Sequence, residues 1–184
     1  MKLVLLTACG LVLLPQLSLA YEVTDTNVTR LNQDTVLFSI TYDFGFLNRD
    51  MLTPMRAVQG QDQIVNALSY QITSANTVLE NVFAPAVVLT KDSDVSMQAG
   101  QYYLPRGERA EFTLIGLLRL ADTDPTNALR LEITHLPYIT INGDAQSLGA
   151  VLPSELPTYR TSFITLMGND SIVSDPGAIS IEIN

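Results

Sequence analysis

Oxygen ligands are the chemistry this sequence offers most freely. Asp92 with Asp94, Asp122 with Asp124 and Asn127, and Asn169 with Asp170 gather carboxylate and amide oxygens in three segments that read as loops. Calcium asks for oxygen ligands only. Asp92, Asp94, Asp122, Asp124 and Asn127 are therefore the candidate metal ligands, and calcium is the one cofactor the sequence suggests. None of the three segments has EF-hand spacing. Counting from Asp92, Met97 stands where the loop glycine belongs and Tyr103 where the closing glutamate does. Asp and Asn also favour turns for conformational reasons of their own, so a solvated turn is the competing account of each segment.

Other reactive groups are scarce. His135 is the only histidine and Cys9 the only cysteine, so one subunit lacks the ligand set of a zinc site. A Ser–His–acid triad would have to use His135, and no G-x-S-x-G elbow occurs. By the phase of its strand His135 falls on the apolar side, just before Leu136-Pro137, where a partly buried structural histidine is expected. Carboxylate pairs of the glycosidase kind depend on which acids meet in space, but the chain has no Trp to form a sugar platform. A non-enzymatic protein is the expectation, with a carboxylate-based hydrolase as an alternative. Lys91 follows Val87-Val88-Leu89 and is expected in solvent at a strand end, not cross-linked to an Asn inside the fold.

The first twenty residues read as a secretory signal peptide. Lys2 supplies the positive start, Leu3 to Leu14 the apolar stretch, and Ser18 and Ala20 the small residues of a cleavage site, so processing is expected to leave Tyr21 first. Pro15 and Gln16 interrupt the apolar run well short of the roughly 20 residues that a membrane span needs, and no membrane span is expected in the mature chain. Leu6-Thr7-Ala8-Cys9 resembles a lipobox, but few apolar residues precede it and the run continues after it, which suits cleavage at Ala20 better. A secreted, periplasmic or cell-surface protein follows, and with Cys9 removed it is cysteine-free and holds no disulfide.

Its charge narrows the partners. The sequence has 10 basic and 19 acidic residues. Lys2 is the only charge before Tyr21, so the mature part carries 9 − 19, or −10. Nucleic-acid affinity rests on several basic groups neutralising phosphates, and no Lys/Arg cluster is present. Nucleic acid is excluded as a partner; protein partners or self-association remain.

The elements that must position these residues are strands. Val36, Phe38, Ile40, Tyr42, Phe44 and Phe46 are apolar at every second residue, with Ser39, Thr41, Asp43 and Gly45 between them: a long half-buried strand with one wet face. Phe112, Leu114, Leu118 and Leu120 repeat the pattern, with Glu111, Thr113 and Arg119 opposite. Leu129, Leu131 and Ile133 continue past Pro137 as Ile139 and Ile141, and Ile179, Ile181 and Ile183 alternate to the end. Weaker strands are expected near 22–29, 65–73, 78–90 and 158–167. Turn residues separate the runs at Pro105-Arg106-Gly107, Asp122 to Pro125, Asn142-Gly143-Asp144 and Asp175-Pro176-Gly177, with Asn142-Gly143 at the centre of a type I′ hairpin. Ser147 to Leu156 is expected to be an irregular loop. The fold class is all-β: a single antiparallel β-sandwich of Greek-key type, with about eight or nine strands over residues 21–184. A chain of this length buries about 70% of its extended surface, so one core suffices.

Leu104-Pro105-Arg106-Gly107-Glu108-Arg109-Ala110-Glu111-Phe112-Thr113-Leu114 resembles a motif of bacterial immunoglobulin-like surface domains, in which a Pro–Gly turn with an acid leads into an alternating strand. Phe38 to Gly45 and Pro153 to Arg160 are similar to stretches of small uncharacterised secreted bacterial β-sandwich proteins. The resemblance implies a sandwich and brings no activity.

An exported module acting through its surface, in assembly or adhesion, is the leading expectation. Its sharper form is a filament subunit in which Tyr21 to Leu31 or Ile179 to Ile183 completes a neighbour's sheet, against the simpler account that both strands pair within their own domain. A soluble periplasmic protein binding a small ligand or calcium through the long connections Met51–Gln63 and Gly143–Tyr159 is the alternative.

Overall fold

The computed structural model describes residues 19–32, 35–60, 64–74, 77–78, 84–119, 128–151, 154–167 and 171–174. Fifteen strands run through them. They are β1 (Leu19–Asn32), β2 (Thr35–Phe46), β3 (Asp50–Pro54), β4 (Arg56–Gln59), β5 (Ala67–Ser74), β6 (Thr77–Val78), β7 (Ala86–Thr90) and β8 (Ser96–Gln98). After them come β9 (Gln101–Leu104), β10 (Arg109–Arg119), β11 (Ala128–His135), β12 (Pro137–Asn142), β13 (Ala145–Ala150), β14 (Ile164–Met167) and β15 (Ser171–Ser174).

Two sheets make an all-β sandwich. The larger has the order β1-β2-β10-β7-β4-β5-β11-β14-β15, with β6 beside β5, and the smaller the order β13-β12-β3-β9-β8. Every pairing is antiparallel except β4 with β5, which is parallel. The expected strands of 36–46 and 112–120 are β2 and β10, which lie side by side in register from Arg109↔Gly45 to Arg119↔Thr35. Their even-numbered side chains form the centre of the core: Val36, Phe38, Ile40, Tyr42 and Phe44 on one, Phe112, Leu114 and Leu118 on the other, all fully buried. Alternation alone accounts for this, because period two sends every second side chain to one face.

More strands are present than the eight or nine expected because runs break where the chain changes sheets. The run from Leu129 to Ile141 is two strands, β11 in the larger sheet and β12 in the smaller, divided at Leu136. Pro137 has no N–H to continue a ladder. Met55 likewise divides β3, in the smaller sheet, from β4, in the larger. Sandwich corners are made by strands that switch sheets at such bends. Met51–Gln63, expected as a long connection, is therefore largely strand.

Two hairpins depart from expectation by small, explicable shifts. Asn142 pairs with Ala145, so Gly143 and Asp144 hold the central positions, not Asn142 and Gly143. Gly143 has φ 60 while Asp144 keeps an ordinary φ, which is the type II′ pattern. That tight turn lets Ala145–Ala150 return as β13, where an irregular loop was expected. The type I′ geometry sits instead at Ala99 (φ 52) and Gly100 (φ 76), between Gln98 and Gln101. Pro105-Arg106-Gly107 is a turn as expected, with the Glu108 amide donating to the Pro105 carbonyl at 3.1 Å and Gly107 at φ 87. Beyond β13, Leu156–Thr158 form one 3-10 turn with Pro157 inside its first residues. The alternating segment 179–183 lies outside the described residues.

Candidate functional site

Of the calcium candidates only Asp92 and Asp94 are among the described residues. Asp122, Asp124 and Asn127 lie outside the described residues, as do Asn169 and Asp170. Asp92 and Asp94 occupy the exposed turn between β7 and β8. There the Asp92 carboxylate accepts the Glu111 amide at 2.5 Å, the Asp92 amide donates to the Thr90 hydroxyl at 3.2 Å, and that hydroxyl donates to the Glu111 carbonyl at 2.7 Å. Asp92 thus ties the end of β7 to the start of β10, an Asx-type structural role. Lys91 is exposed just past β7, at a strand end as expected. Among the described residues no cluster of three acidic, His or Cys side chains is spaced to hold a metal ion.

His135 does not lie on the apolar side. A bulge between Ile133 and His135 puts His135 in register with Ser69, on the face turned away from the core line of Leu68, Tyr70 and Ile72. The extra residue of a bulge reverses the phase of all that follows. Partial burial still lowers the pKa of the imidazole. On the same face Arg130, nearly buried, is ion-paired with Glu132 and donates to the Thr73 hydroxyl at 3.2 Å, and its guanidinium lies 4.4 Å from the centre of the Phe163 ring. Gln71 donates to Glu132 at 3.2 Å. Hydrogen bonds and a ring face offset the cost of burying this charge, and the cluster fastens β5 to β11.

Tyrosines occupy the middle of the core. The Tyr42 ring lies 5.9 Å from those of Phe112 and Tyr159, and Tyr102 lies 5.4 Å from Phe112. Tyr102 donates to the Val88 carbonyl at 3.1 Å, joining the two sheets, and Tyr70 donates to the Ala84 carbonyl. The hydroxyls of Tyr42 and Tyr159 are buried and reach no partner among the described residues. Burial, and then the neighbouring phenols or acids, raises both pKa values far above the ordinary phenol range. At the rim the Tyr21 hydroxyl bonds Glu155, which raises its pKa too. These groups stay neutral and serve packing.

The surface with most to offer a partner is the outer face of the larger sheet. On β10 its outward positions read Arg109, Glu111, Thr113, Ile115, Leu117 and Arg119. Leu117 stands opposite Leu37 on β2, and Ile115 opposite Val87 on β7. Leu89 is opposite Thr113, whose hydroxyl lies 3.1 Å from that of Thr41, which places all of them on one side. Val87 and Leu89 are 50% and 48% exposed, so this apolar strip faces water. Glu111, Asp43 and Glu22 stand in one row across β10, β2 and β1 at one end of the strip. Arg119 stands at the other end.

The strip was not foreseen, although a signal for it exists. Val36-Leu37-Phe38 and Leu114-Ile115-Gly116-Leu117-Leu118 carry apolar side chains in both phases of their strands, whereas a sheet with a wet outer face keeps polar residues in the second phase.

No family model matches the chain, and no curated protein matches it. The solved structures that match include two that align weakly. A Bacillus subtilis protein described as a lipoprotein (ycdA) aligns at a TM-score of 0.29 and 10% identity over 76% of this chain; the chain spans 38% of that protein's length. The yeast GGA1 GAE domain aligns at a TM-score of 0.25 and 13% identity, over 69% of this chain and 86% of that one. Among the described residues no helix is long and apolar enough to cross a membrane.

Proposed function

We propose that this protein is an exported, non-enzymatic β-sandwich that works by contact with protein surfaces, as an assembly or adhesion module of the cell surface, periplasm or surrounding medium. One observation carries the contact: the strip of Leu37, Ile115, Leu117, Val87 and Leu89 on the outer face of the larger sheet, half-exposed at Val87 and Leu89. Contiguous exposed apolar patches on soluble domains mark interaction sites. Export rests on Lys2, the apolar run and the small residues before Tyr21. A place among the immunoglobulin-like secreted β-sandwich proteins belongs to the same proposal, supported by the Pro105–Gly107 turn that feeds β10.

Face contact fits this chain better than strand donation. Tyr21 to Leu31 lies within β1, which pairs with β2 of its own chain from Leu19↔Phe46 to Asn32↔Thr35. Among the described residues only β2 pairs with β1, and β1 carries Glu22, Asp25 and two register shifts, which are devices that keep edges from recruiting further strands. Site-specific photocrosslinking tests the reading. With benzoylphenylalanine at Val87 in cells exporting the full chain, illumination is expected to give a discrete protein adduct, and the same group at exposed Leu148 on β13 is expected to give none. No adduct at Val87 would sink the contact reading.

A further inference from the structure

We propose that Asn27 is an N-glycosylation site, modified on the outward side of β1 by a transferase that uses a lipid-diphosphate-linked oligosaccharide. The proposal rests on the export reading above, since N-linked acceptors of this kind belong to secreted chains, and is independent of the contact face. Asn27-Val28-Thr29 has the acceptor pattern Asn-x-Ser/Thr with x other than Pro. A three-residue pattern is short, so its setting decides what it is worth. Exposed Asn32, Asn48, Asn66 and Asn142 have Asp34, Asp50, Leu68 and Asp144 two residues on, and none of them fits. Asn169-Asp170-Ser171 fits in sequence, but Asn169 lies outside the described residues.

The phase of β1 supplies the setting. Asp25, Asn27 and Thr29 stand opposite Thr41, Ser39 and Leu37, the outward positions of β2. Asp25 and Asn27 are exposed. Val28 stands opposite Phe38 and packs against the core. Period two therefore puts a carboxylate, an amide and a hydroxyl on one side of the strand, each about 7 Å from the next. A sugar chain on Asn27 leaves the core undisturbed, whereas one in the phase of Val28 would have to stand inside it.

The transfer leaves every oxidation state unchanged. The side-chain amide nitrogen of Asn27 bonds to the anomeric carbon of the donor's first sugar. The bond from that carbon to the diphosphate oxygen breaks, and the lipid diphosphate leaves with the electron pair. The nitrogen releases one proton to solvent. Thr29 gives the transferase a hydroxyl to grip, and sites built to hydrogen-bond a substrate hydroxyl reject analogues lacking it by roughly 10⁴–10⁵-fold.

Mass spectrometry of the full chain recovered from outside the cytoplasm of the cells that make it tests the site. The tryptic peptide that ends at Arg30 is expected to carry the added mass of an oligosaccharide. Asn27→Gln and Thr29→Ala are each expected to return that peptide to its bare mass, and Thr29→Ser to keep the sugar. The readout is a mass, so it does not depend on the stability of any variant. A bare peptide in the exported chain overturns the glycan and leaves export standing. Sugar that persists in Asn27→Gln, or that sits only on the peptide Thr161–Asn184, overturns the assignment to Asn27. A chain found only in the cytoplasm removes both the glycan and the export reading.

Discussion

Asp43 and Glu111 stand directly opposite each other in one register pair of β2 and β10, and Glu22 continues their row on β1. Like charges directly opposite in an antiparallel pair are destabilising. Asp43, flanked on both sides, is the member whose removal relieves most. Asp43→Asn is expected to raise stability by about 0.2–1 kcal/mol in dilute buffer, measured by urea unfolding. The gain should shrink in about 1 M salt, where screening acts within a few ångströms. A loss of stability would mean that the row is held by contacts of its own.

Tyr42 and Tyr102 lie in the same aromatic cluster but have opposite prospects. Tyr42 buries a hydroxyl without a partner among the described residues, whereas Tyr102 spends its hydroxyl on the Val88 carbonyl. Tyr42→Phe removes a buried polar group and is expected to be neutral or to stabilise by up to about 1–3 kcal/mol, the cost of leaving such a group unsatisfied. Tyr102→Phe strands a carbonyl and is expected to destabilise by about the same amount. Thermal unfolding of the two variants side by side checks the signs. Equal destabilisation would show that the Tyr42 hydroxyl is satisfied within the folded protein.

Backbone approach makes two glycines of adjacent strands unequal. A Cβ on Gly45 would stand 2.3 Å from the Glu108 carbonyl oxygen and 3.0 Å from the Arg109 Cα, both backbone atoms. A Cβ on Gly116 meets side-chain atoms alone, the Leu131 methyls at 3.4 Å and the Ala86 Cβ at 3.8 Å. Gly45→Ala is expected to cost about 1–3 kcal/mol, the range for forcing extra volume into packed structure, while Gly116→Ala should change stability by less than about 1 kcal/mol. Denaturant midpoints decide it, and a mild Gly45→Ala would mean that the Gly107 turn moves aside.

The strands were legible where one periodicity ran long enough to be seen. β2 and β10 follow from their alternating apolar residues, and the buried set matches the phase read from Val36 and Phe112. Three kinds of feature escaped. Strand breaks at Met55 and Leu136 were hidden because the chain changes sheets while staying extended, and the prolines beside them, Pro54 and Pro137, also fit the ends of uninterrupted strands. The orientation of His135 was hidden because a single bulged residue reverses phase without leaving a composition signal. The outer apolar strip was hidden because Leu37, Ile115 and Leu117 were absorbed into the core runs beside them; only register shows that they join Val87 and Leu89. At the candidate calcium ligands, Asp92 could not be told from a turn clamp by spacing, since both roles want a short acid in a loop.

Ala99 holds φ 52 in the β8–β9 hairpin, a left-handed conformation in which an L side chain with a Cβ is crowded. Glycine carries no such penalty but loses more freedom on folding. The strain exceeds that entropy difference, so Ala99→Gly is expected to stabilise by about 0.5–1 kcal/mol. Ala99→Val should destabilise, because a β-branched residue fits the left-handed region worst. Melting temperatures of the two variants give the answer, and a drop in both would mean that the turn opens in solution.

His135 supplies the pH dependence. Burial against the outer face of β5 lowers its pKa from the ordinary 6.5, so the unfolded chain binds this proton more readily than the folded one. Stability from this group is therefore fully present above the unfolded pKa near 6.5 and is lost as pH falls from there towards the folded value. Above that window the imidazole is neutral in both states and contributes no slope. His135→Gln keeps a polar side chain of similar length without the titration. Its unfolding free energy, measured in urea from pH 8 down to pH 5, is expected to fall less steeply below pH 6.5 than that of the parent, with the two curves parallel above it. Curves that stay parallel through the whole range would show that His135 is as well solvated in the folded chain as in the unfolded one.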